Sequence, residues 1–309
     1  MPPALRSLAS EETAKRNTMN HIQLTDAMFR VLRDFIYEIS GIFFAEDSKT
    51  ILESRLQQNI KRRQFSNFGD YYYYLKYDRG KEEEITLLID AITIHETYFF
   101  REKKQLDTFM DEVMPELADR GRKNGRIRIW SAGCATGEEP YTLAMLFLEH
   151  RDFRDINVEI YATDISRAAL AVARRGIYRE SSFRSIDPYF QRTYFTKEDA
   201  EYRIMDKIKQ PVVFLHLNLY ERERWGLLPE MDAIFCRNVI IYFDAVSKRR
   251  AIDAFFQKLQ PGGFLLLGHS ESLIALSTDF VLRHFKNDLL YQKPPDMKPN
   301  YFDLLTPAK

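Results

Sequence analysis

The residues best suited to chemistry follow a buried, strand-like run in the middle of the chain. The run ends in SAGCATG at 131 to 137, and Glu138 and Glu139 follow at once. Small residues such as Gly133 let the backbone approach a ligand where a helix begins. Two carboxylates there would repel a phosphate but attract a ligand that carries an ammonium and a sulfonium group. The loop therefore favours S-adenosylmethionine over a dinucleotide.

A further acidic residue, Asp164, ends the next strand-like run, VEIYATD at 158 to 164. A carboxylate in this position can accept hydrogen bonds from both hydroxyls of a ribose. Each signal also has a purely structural reading, because glycine loops make tight turns, paired glutamates complement a helix dipole and strand-end aspartates cap helices. The order of the signals on successive strands favours a binding site.

Short apolar runs separated by helical stretches surround these residues. Such runs predict a doubly wound α/β fold, with a parallel sheet covered on both faces. FVLRHFK and DLLYQK, around an Asn-Asp turn, predict an antiparallel edge, and QRTYF and EYRIMDKI predict a small antiparallel β insertion at about 178–211. The principal runs are IRIWSAG (127–133), VEIYATD (158–164), VVFLHLNL (212–219), DAIFCRNVIIYF (232–243) and GFLLLGHS (263–270).

The domain organisation follows from a change of pattern along the chain. Apolar residues recur at helical spacing from Thr25 to about Phe109, which predicts an all-α N-terminal domain over 21–109. The charged stretch DRGRKNG closes a predicted linker over 110–126, and the α/β domain occupies 127–293. The polar residues 1–20 and the proline-rich residues 294–309 are expected to be a disordered leader and a flexible tail.

Composition narrows the class of protein. The chain of 309 residues has 45 basic and 45 acidic side chains, so no global field draws it to nucleic acid or to an anionic membrane. Its two cysteines, Cys134 and Cys236, lie in apolar runs and are expected to be buried free thiols of a reducing compartment. The chain has no run of 18 apolar residues. A cytoplasmic protein without membrane insertion or bound metal is expected.

Six blocks of the chain carry a more specific signal: ITIHETYFFRE (92–102), WSAGCATGEEPYTLAM (130–145), ATDIS (162–166), NLY (218–220), FCRNVIIYF (235–243) and GHSES (268–272). Together they closely resemble the chemotaxis receptor methyltransferase family, CheR, over roughly residues 25–293. The resemblance implies an all-helical domain linked to a Rossmann-like S-adenosylmethionine methyltransferase domain with an inserted three-stranded subdomain. It also implies the transfer of a methyl group to glutamates on the cytoplasmic helices of methyl-accepting chemotaxis receptors. The products would be glutamate methyl esters and S-adenosylhomocysteine.

The resemblance also implies a set of cofactor-binding residues. The family block Asn-x-Thr-x-Phe-Phe-Arg corresponds to His95, Thr97 and Arg101, and His95 departs from the usual asparagine. Either Glu138 or Glu139 should hold the methionine end, with Glu139 favoured. The remaining expected contacts are Gly133 in the loop, Asp164 at the ribose, Asn218 and Leu219 along the adenine, and Arg237, Asn238 and Val239 at the pocket floor.

The chemistry of the reaction limits what the catalytic residues must do. A glutamate carboxylate is already a competent oxygen nucleophile, so neither a general base nor a metal is needed, and alignment is the main requirement. Arg101 and Tyr242, which match family motif positions, are the expected positioning groups. The strand predicted in the fourth principal run (232–243) is not followed by the Asn/Asp-Pro-Pro-Tyr tetrapeptide of families that methylate amines. The lack of resemblance to those families favours an oxygen over a nitrogen nucleophile.

Recognition of the protein substrate is expected in two places. The helical segment ILESRLQQNIKRRQF carries four bases, Arg55, Lys61, Arg62 and Arg63, against the single acid Glu53. This face is either simply solvated or, by resemblance, docks on the acidic helix of a receptor. The β insertion resembles the part that captures a receptor C-terminal peptide in some family members.

Other functions remain open on the sequence. The same fold could methylate another signalling protein or a small carboxylate, and a non-catalytic scaffold would bind cofactor or partner only. The intact Thr97, Arg101, Asp164, Asn238 and Tyr242 argue against a degenerate scaffold. We expect a monomer.

Overall fold

The computed structural model describes residues 21–295, which form two compact units. The first unit comprises residues up to Ile39 together with Phe43–Thr93, and the second comprises Ser40–Ile42 and the chain from Ile94 onward. The expected leader, 1–20, and the expected tail beyond residue 295 lie outside the described residues.

The first unit is helical, as predicted. Its helices are α1 (Asp26–Ser40), α2 (Lys49–Arg62), α3 (Phe68–Tyr77) and α4 (Lys81–Ile92), with a 3-10 turn at Glu46–Ser48. The four-residue spacing of Leu52, Leu56 and Ile60 places all three on one face of α2, and all three are fully buried. The Asn67 side chain caps α3 by accepting a hydrogen bond from the Asp70 amide.

The boundary between the units lies after Thr93, earlier than the predicted position at 109, and residues 110–126 are not a linker. This stretch lies mostly in a helical segment formed by α5 (Lys103–Thr108), a π-helical turn (Phe109–Val113) and α6 (Met114–Asn124). Its apolar side chains share a core with residues of the sheet. Helical spacing shows that one face of a segment is buried but not which element buries it, so residues 103–109 were assigned to the first unit and residues 110–124 to a linker.

The described part of the second unit, up to residue 295, contains ten strands. They are β1 (Arg126–Ala132), β2 (Asn157–Asp164), β3 (Ile177–Arg179), β4 (Phe195–Glu198), β5 (Glu201–Ile204), β6 (Val212–His216), β7 (Met231–Cys236), β8 (Leu259–Leu267), β9 (Val281–His284) and β10 (Leu289–Gln292). Seven of them form a sheet in the order β6-β2-β1-β7-β8-β10-β9. The five neighbouring strands β6, β2, β1, β7 and β8 are parallel to one another, and β10 is antiparallel to both of its neighbours. The predicted doubly wound sheet with an antiparallel edge is confirmed.

Helices pack on this sheet: α7 (Glu138–Glu149) and α8 (Arg167–Arg175) contact β2 and β6, and α11 (Ala245–Lys258) contacts β8. The short α9 (Pro188–Tyr194) contacts β4, and α10 (Asp206–Lys209) contacts α7. Ile129 and Trp130, adjacent on β1, belong to two different core clusters, as expected for a strand buried on both sides. From β1 the chain winds outward to β2 and β6 and then returns to β7 on the other side of β1. The carboxyl ends of β1 and β7 therefore define the switch point where such sheets bind ligands.

The remaining strands, β3, β5 and β4 in that order, form the predicted antiparallel insertion. One detail of the prediction was wrong, because residues 191–194 of the expected strand QRTYF lie in α9. The Asp187 side chain caps this helix and Pro188 occupies its first turn, and both are helix-start signals that outweigh the strand-like composition. Among residues 21–295, no helix is both long and apolar enough to cross a membrane.

Candidate functional site

The loop after β1 is pressed against the end of β2. The amides of Gly133 and Cys134 donate hydrogen bonds of 2.8 and 2.9 Å to the Thr163 carbonyl. Gly133 has φ +79°, and an added Cβ would overlap Cγ2 of Val239 and lie 3.1 Å from its Cγ1. The loop thus needs glycine at 133 both for its backbone conformation and because Val239 packs directly against it.

Asp164, at the end of β2, is buried and lies against the same loop. Its two carboxylate oxygens accept hydrogen bonds of 2.8 Å from the amides of Ala135 and Ser166. Burial raises the pKa of Asp164, while these two hydrogen bonds and the nearby His95 and His216 oppose the rise. A carboxylate has about four acceptor positions, so the described contacts leave capacity for the hydroxyls of a ribose.

The two glutamates at the start of α7 have different surroundings. Glu138 is buried and accepts hydrogen bonds from the hydroxyls of Thr136, at 2.6 Å, and Ser182, at 3.0 Å. Burial raises the pKa of its carboxyl group. Glu139 accepts instead from Ser131 Oγ, at 2.6 Å, and from Arg237 Nη1, at 3.1 Å. Because Ser131 and Arg237 stand at the ends of β1 and β7, Glu139 is the glutamate at the switch point.

Arg237 joins three segments of the site. Its side chain is only 3% exposed, and Nη1 binds Glu139. Nη2 donates a 2.6 Å hydrogen bond to the Arg101 carbonyl and lies 3.1 Å from a carboxylate oxygen of Glu102. Through these contacts the Arg237 side chain links the loop after β7 to the start of α7 and to the segment that precedes α5. Arg237 is therefore held by protein groups in the place where we predicted a cofactor contact.

The predicted positioning residue Arg101 lies in a compact turn. Its Nη1 donates a 2.7 Å hydrogen bond to the Glu96 carbonyl, and its guanidinium carbon lies 5.7 Å from the centre of the Tyr98 ring. Arg184 also lies over this ring, at 3.9 Å, and forms a 2.9 Å ion pair with the Glu96 carboxylate. A guanidinium has five N–H donors, so Arg101 can donate further hydrogen bonds to a bound carboxylate.

Three buried polar atoms of predicted site residues have no hydrogen-bond partner among the described residues. They are Nε2 of His95, Nε of Arg237 and Oδ1 of Asn238. Buried polar atoms in a native protein are almost always paired, so the unpaired atoms of this site are available to a ligand. Thr97, the other residue of the same block, is half-buried.

The loop after β7 is held by a residue to which we assigned no role from the sequence, Glu271. Its carboxylate accepts hydrogen bonds from the amides of Asn238 (2.8 Å), Val239 (3.0 Å), Ile241 (3.2 Å) and Gly268 (2.8 Å). Burial raises the pKa of Glu271, and the four amide donors oppose that rise. One feature of the sequence could have indicated this role: Glu271 is a carboxylate in the GHSES block, shortly after the end of a predicted core strand.

The remaining predicted residues lie after β6 and β7. Asn218 is buried and shapes its own turn, because its side chain accepts from the Tyr220 amide, at 3.0 Å, and donates to Glu221, at 3.1 Å. Leu219 is buried beside it. Tyr242 is half-buried at the end of a short 3-10 helix (Ile240–Tyr242).

Backbone strain is concentrated in these same segments. Phe100, Glu102, Ala135 and Asn238 have φ values of +59°, +53°, +46° and +59°. Side chains disfavour this region by about 1–3 kcal/mol per residue, and such residues cluster where a precise geometry is needed for function. The strain supports a functional reading of the loops around the switch point.

The predicted docking bases lie in the first unit, and three of the four have intramolecular partners. Arg62 and Arg63 bind the buried carboxylate of Glu84 at 2.6 and 2.9 Å. Arg55 donates a hydrogen bond to the carbonyl of Ile92, at the end of α4. Lys61 is exposed and forms no ion pair within residues 21–295. Much of this positive charge therefore stabilises the helical unit.

The two cysteines are buried and free, as predicted. Burial raises the pKa values of both the Cys134 and the Cys236 thiols well above the ordinary value. A thiol that resists ionisation is a poor nucleophile, so neither cysteine is a candidate for covalent catalysis.

Comparison with known proteins gives consistent matches over both units. Residues 27–93 match the all-alpha domain of CheR methyltransferase, and residues 95–287 match the CheR methyltransferase SAM binding domain. Chemotaxis protein methyltransferase 2 of Vibrio cholerae is 39% identical, over 89% of this chain and 96% of that protein. The chemotaxis protein methyltransferases of Borreliella burgdorferi and Salmonella typhimurium are 38% and 32% identical, over 80% and 90% of this chain and 88% and 95% of those proteins.

Proposed function

The chain belongs to the CheR methyltransferase family, and on that premise we propose that it is a protein-glutamate O-methyltransferase. It uses S-adenosylmethionine to esterify glutamate side chains on the cytoplasmic helices of methyl-accepting chemotaxis receptors. The observation that carries the proposal is the switch point itself. There Glu139, Asp164 and the unpartnered polar atoms of His95 and Asn238 belong to the segments that the family motifs single out.

These residues fit the cofactor in charge and in hydrogen bonding. Glu139 can hold an ammonium group, and Asp164 can accept from ribose hydroxyls. His95 Nε2 and Asn238 Oδ1 supply two further polar atoms without partners in the described chain. S-adenosylmethionine, when bound, supplies a methyl carbon that its positively charged sulfur makes electrophilic.

The chain's own contribution to the reaction is alignment of the incoming glutamate. Arg101 can hold one carboxylate oxygen with the free donors of its guanidinium, and the Tyr242 hydroxyl can donate to the same group. Exclusion of water strengthens both contacts, because charges interact more strongly where the dielectric constant is low. No proton has to be removed from an ionised carboxylate, so no residue acts as a general base.

For substrate recognition we propose two contacts. The exposed Lys61, together with the outer edges of Arg55, Arg62 and Arg63, presents positive charge to an acidic receptor helix. The edge strands β3 and β4 of the insertion offer unpaired backbone groups, which could receive a receptor C-terminal peptide as an added strand.

The decisive experiment uses tritiated S-adenosylmethionine and membranes that contain a methyl-accepting chemotaxis receptor. We expect labelled receptor that releases volatile methanol in alkali, because glutamate methyl esters hydrolyse under those conditions. A receptor with alanine at its methylation sites is the control and should remain unlabelled. Absence of volatile label from the unaltered receptor would overturn the proposal, and label on a small carboxylate instead would favour the alternative substrate class.

A further inference from the structure

Three exposed apolar side chains lie in or near the loop that carries Asn238 and Tyr242. Ile241, in the loop, is 41% exposed; Val246, in the first turn of α11, is 54% exposed; and Ile274 is 85% exposed. Two contacts bring them to one side of the second unit. The Ile241 amide donates to Glu271, three residues before Ile274, and Arg249 donates a 3.3 Å hydrogen bond to the carbonyl of Ala275.

The turn that presents Ile274 is held by hydrogen bonds and by one buried side chain. Leu273 is buried and anchors it, and its carbonyl accepts a 2.9 Å hydrogen bond from the Leu276 amide. The Ile274 amide donates to Ser272 Oγ at 3.1 Å, and Ala275 has φ +62°. Single exposed apolar residues need no explanation, but a strained turn that fixes an isoleucine in solvent indicates a contact surface.

Positive charge accompanies this apolar group. Lys248, Arg249 and Arg250 are consecutive in the first two turns of α11, where the helix dipole disfavours cations. None of the three forms an ion pair within the described part of the chain. The nearby carboxylates are Asp244, which caps the helix, and Asp253, one turn further along. Glu271 faces inward to its four amide donors, so the exposed surface keeps an excess of positive charge.

We propose that Ile241, Val246, Lys248, Arg249, Arg250 and Ile274 form a docking surface for the protein substrate, here called the α11 surface. Its occupant is an acidic amphipathic helix that carries the glutamate to be methylated. The apolar residues contact the apolar stripe of that helix, and the three cations face its flanking carboxylates. The α11 surface borders the segment that holds Asn238 and Tyr242, so a helix seated there presents its carboxylates beside the reaction site. This inference rests on the proposed function and names the second unit's own contribution to substrate binding.

The test compares variants in steady-state methyl transfer to a soluble cytoplasmic fragment of a methyl-accepting receptor. Arg249→Glu/Arg250→Glu should raise the KM for the fragment by about tenfold, because reversed charges slow the encounter. The kcat at saturating fragment and the calorimetric affinity for S-adenosylhomocysteine should not change. Ile274→Ser should also raise this KM. Unlike Arg249→Glu/Arg250→Glu, it should leave the salt dependence of the KM unaltered.

The control is Lys123→Glu/Arg175→Glu, which makes the same change of charge at two exposed residues elsewhere in the second unit. Its KM should equal that of the unaltered chain. Unchanged KM values in the α11 surface variants would overturn the inference, as would a parallel loss of S-adenosylhomocysteine affinity. Reduced binding to anionic lipid vesicles with an unchanged KM would assign the surface to a membrane instead. Absence of transfer by the unaltered chain would overturn the proposed function and this inference with it.

Discussion

At the scale of single residues, the charge around Arg237 explains why the site suits a cationic ligand. One buried guanidinium is shared between Glu139 and Glu102, each with an oxygen 3.1 Å from a guanidinium nitrogen. The three charges leave one net negative charge in a poorly solvated place. A bound ammonium would bring this cluster to neutrality, whereas a phosphate would add to the repulsion.

Arg101 should act in turnover rather than in folding. We expect Arg101→Ala to lower kcat by about 100-fold, because a misaligned carboxylate loses the advantage of proximity. The free energy of unfolding should change little. The matched control is Arg184→Ala, which removes the other cation over Tyr98. An equal loss of kcat in both variants would mean that the turn at 96–101, and not the Arg101 guanidinium, is what matters.

Glu271 should determine the shape of the loop after β7. Glu271→Gln places an amide group among four backbone donors, so we expect a loss of about 1–3 kcal/mol in the free energy of unfolding. The affinity for S-adenosylhomocysteine should fall as well, because Asn238 and Val239 would shift. Denaturant unfolding and calorimetric titration measure the two effects. Asp279→Asn, an exposed change in the same region, serves as control, and equal behaviour of the two variants would contradict the assigned role.

Glu138 should make stability depend on pH. Burial raises the pKa of its carboxyl in the folded state, so the folded chain retains this proton to a higher pH than the unfolded chain does. The contribution of Glu138 to stability is therefore complete below about pH 4, the unfolded value, and is lost as the pH rises through the folded-state pKa. The stability of Glu138→Gln relative to the unaltered chain should increase as the pH rises above about 4 in urea unfolding. A difference that does not change with pH would refute this assignment.

At the scale of elements, much of the second unit could be predicted from the sequence. Buried parallel strands appear as continuous apolar runs, and the residues that follow β1, β2 and β7 carried the motifs. The roles of Arg237 and Glu271 could not be predicted, because each depends on contacts between segments distant in sequence. The helical segment Lys103–Asn124 was misassigned for the same reason: its spacing specifies a buried face but not the sheet that buries it.

The glycine loop offers a direct test of element packing. Gly133→Ala should destabilise the chain through both its positive φ and the overlap with Val239, by about 1–3 kcal/mol. Gly125→Ala is the matched control, since Gly125 has φ +75° but no atom within 4 Å of an added Cβ. Adding Val239→Ala to Gly133→Ala should remove the overlap and leave only the backbone cost. Denaturant unfolding of the three variants checks this, and a double variant no more stable than Gly133→Ala would disprove the packing argument.

At the scale of the whole molecule, the two units differ in their spectroscopic signals. Both tryptophans, Trp130 and Trp225, lie in the second unit with ring centres 4.9 Å apart, whereas helices occur in both units. Tryptophan fluorescence should therefore report unfolding of the second unit alone, and far-ultraviolet circular dichroism should report both.

A ligand that binds the second unit should separate the two signals. S-adenosylhomocysteine at 100 times its Kd should stabilise that unit by about 2.7 kcal/mol and raise the fluorescence midpoint. Part of the circular dichroism change should remain at its original midpoint. Coincident transitions for both probes, with and without ligand, would show that the chain unfolds as one cooperative body.

The strand order also has a consequence for synthesis on the ribosome. The central strand β1 pairs with β2, which is made soon afterwards, and with β7, which begins only at Met231. At roughly 5–20 residues per second, the edge of β1 that pairs with β7 keeps its backbone N–H and C=O groups unpaired for several seconds while the intervening chain is translated. During that interval the nascent chain presents a site for chaperones and for aggregation. A transcript that ends before the codon for Met231 would encode a chain in which this edge never finds its partner.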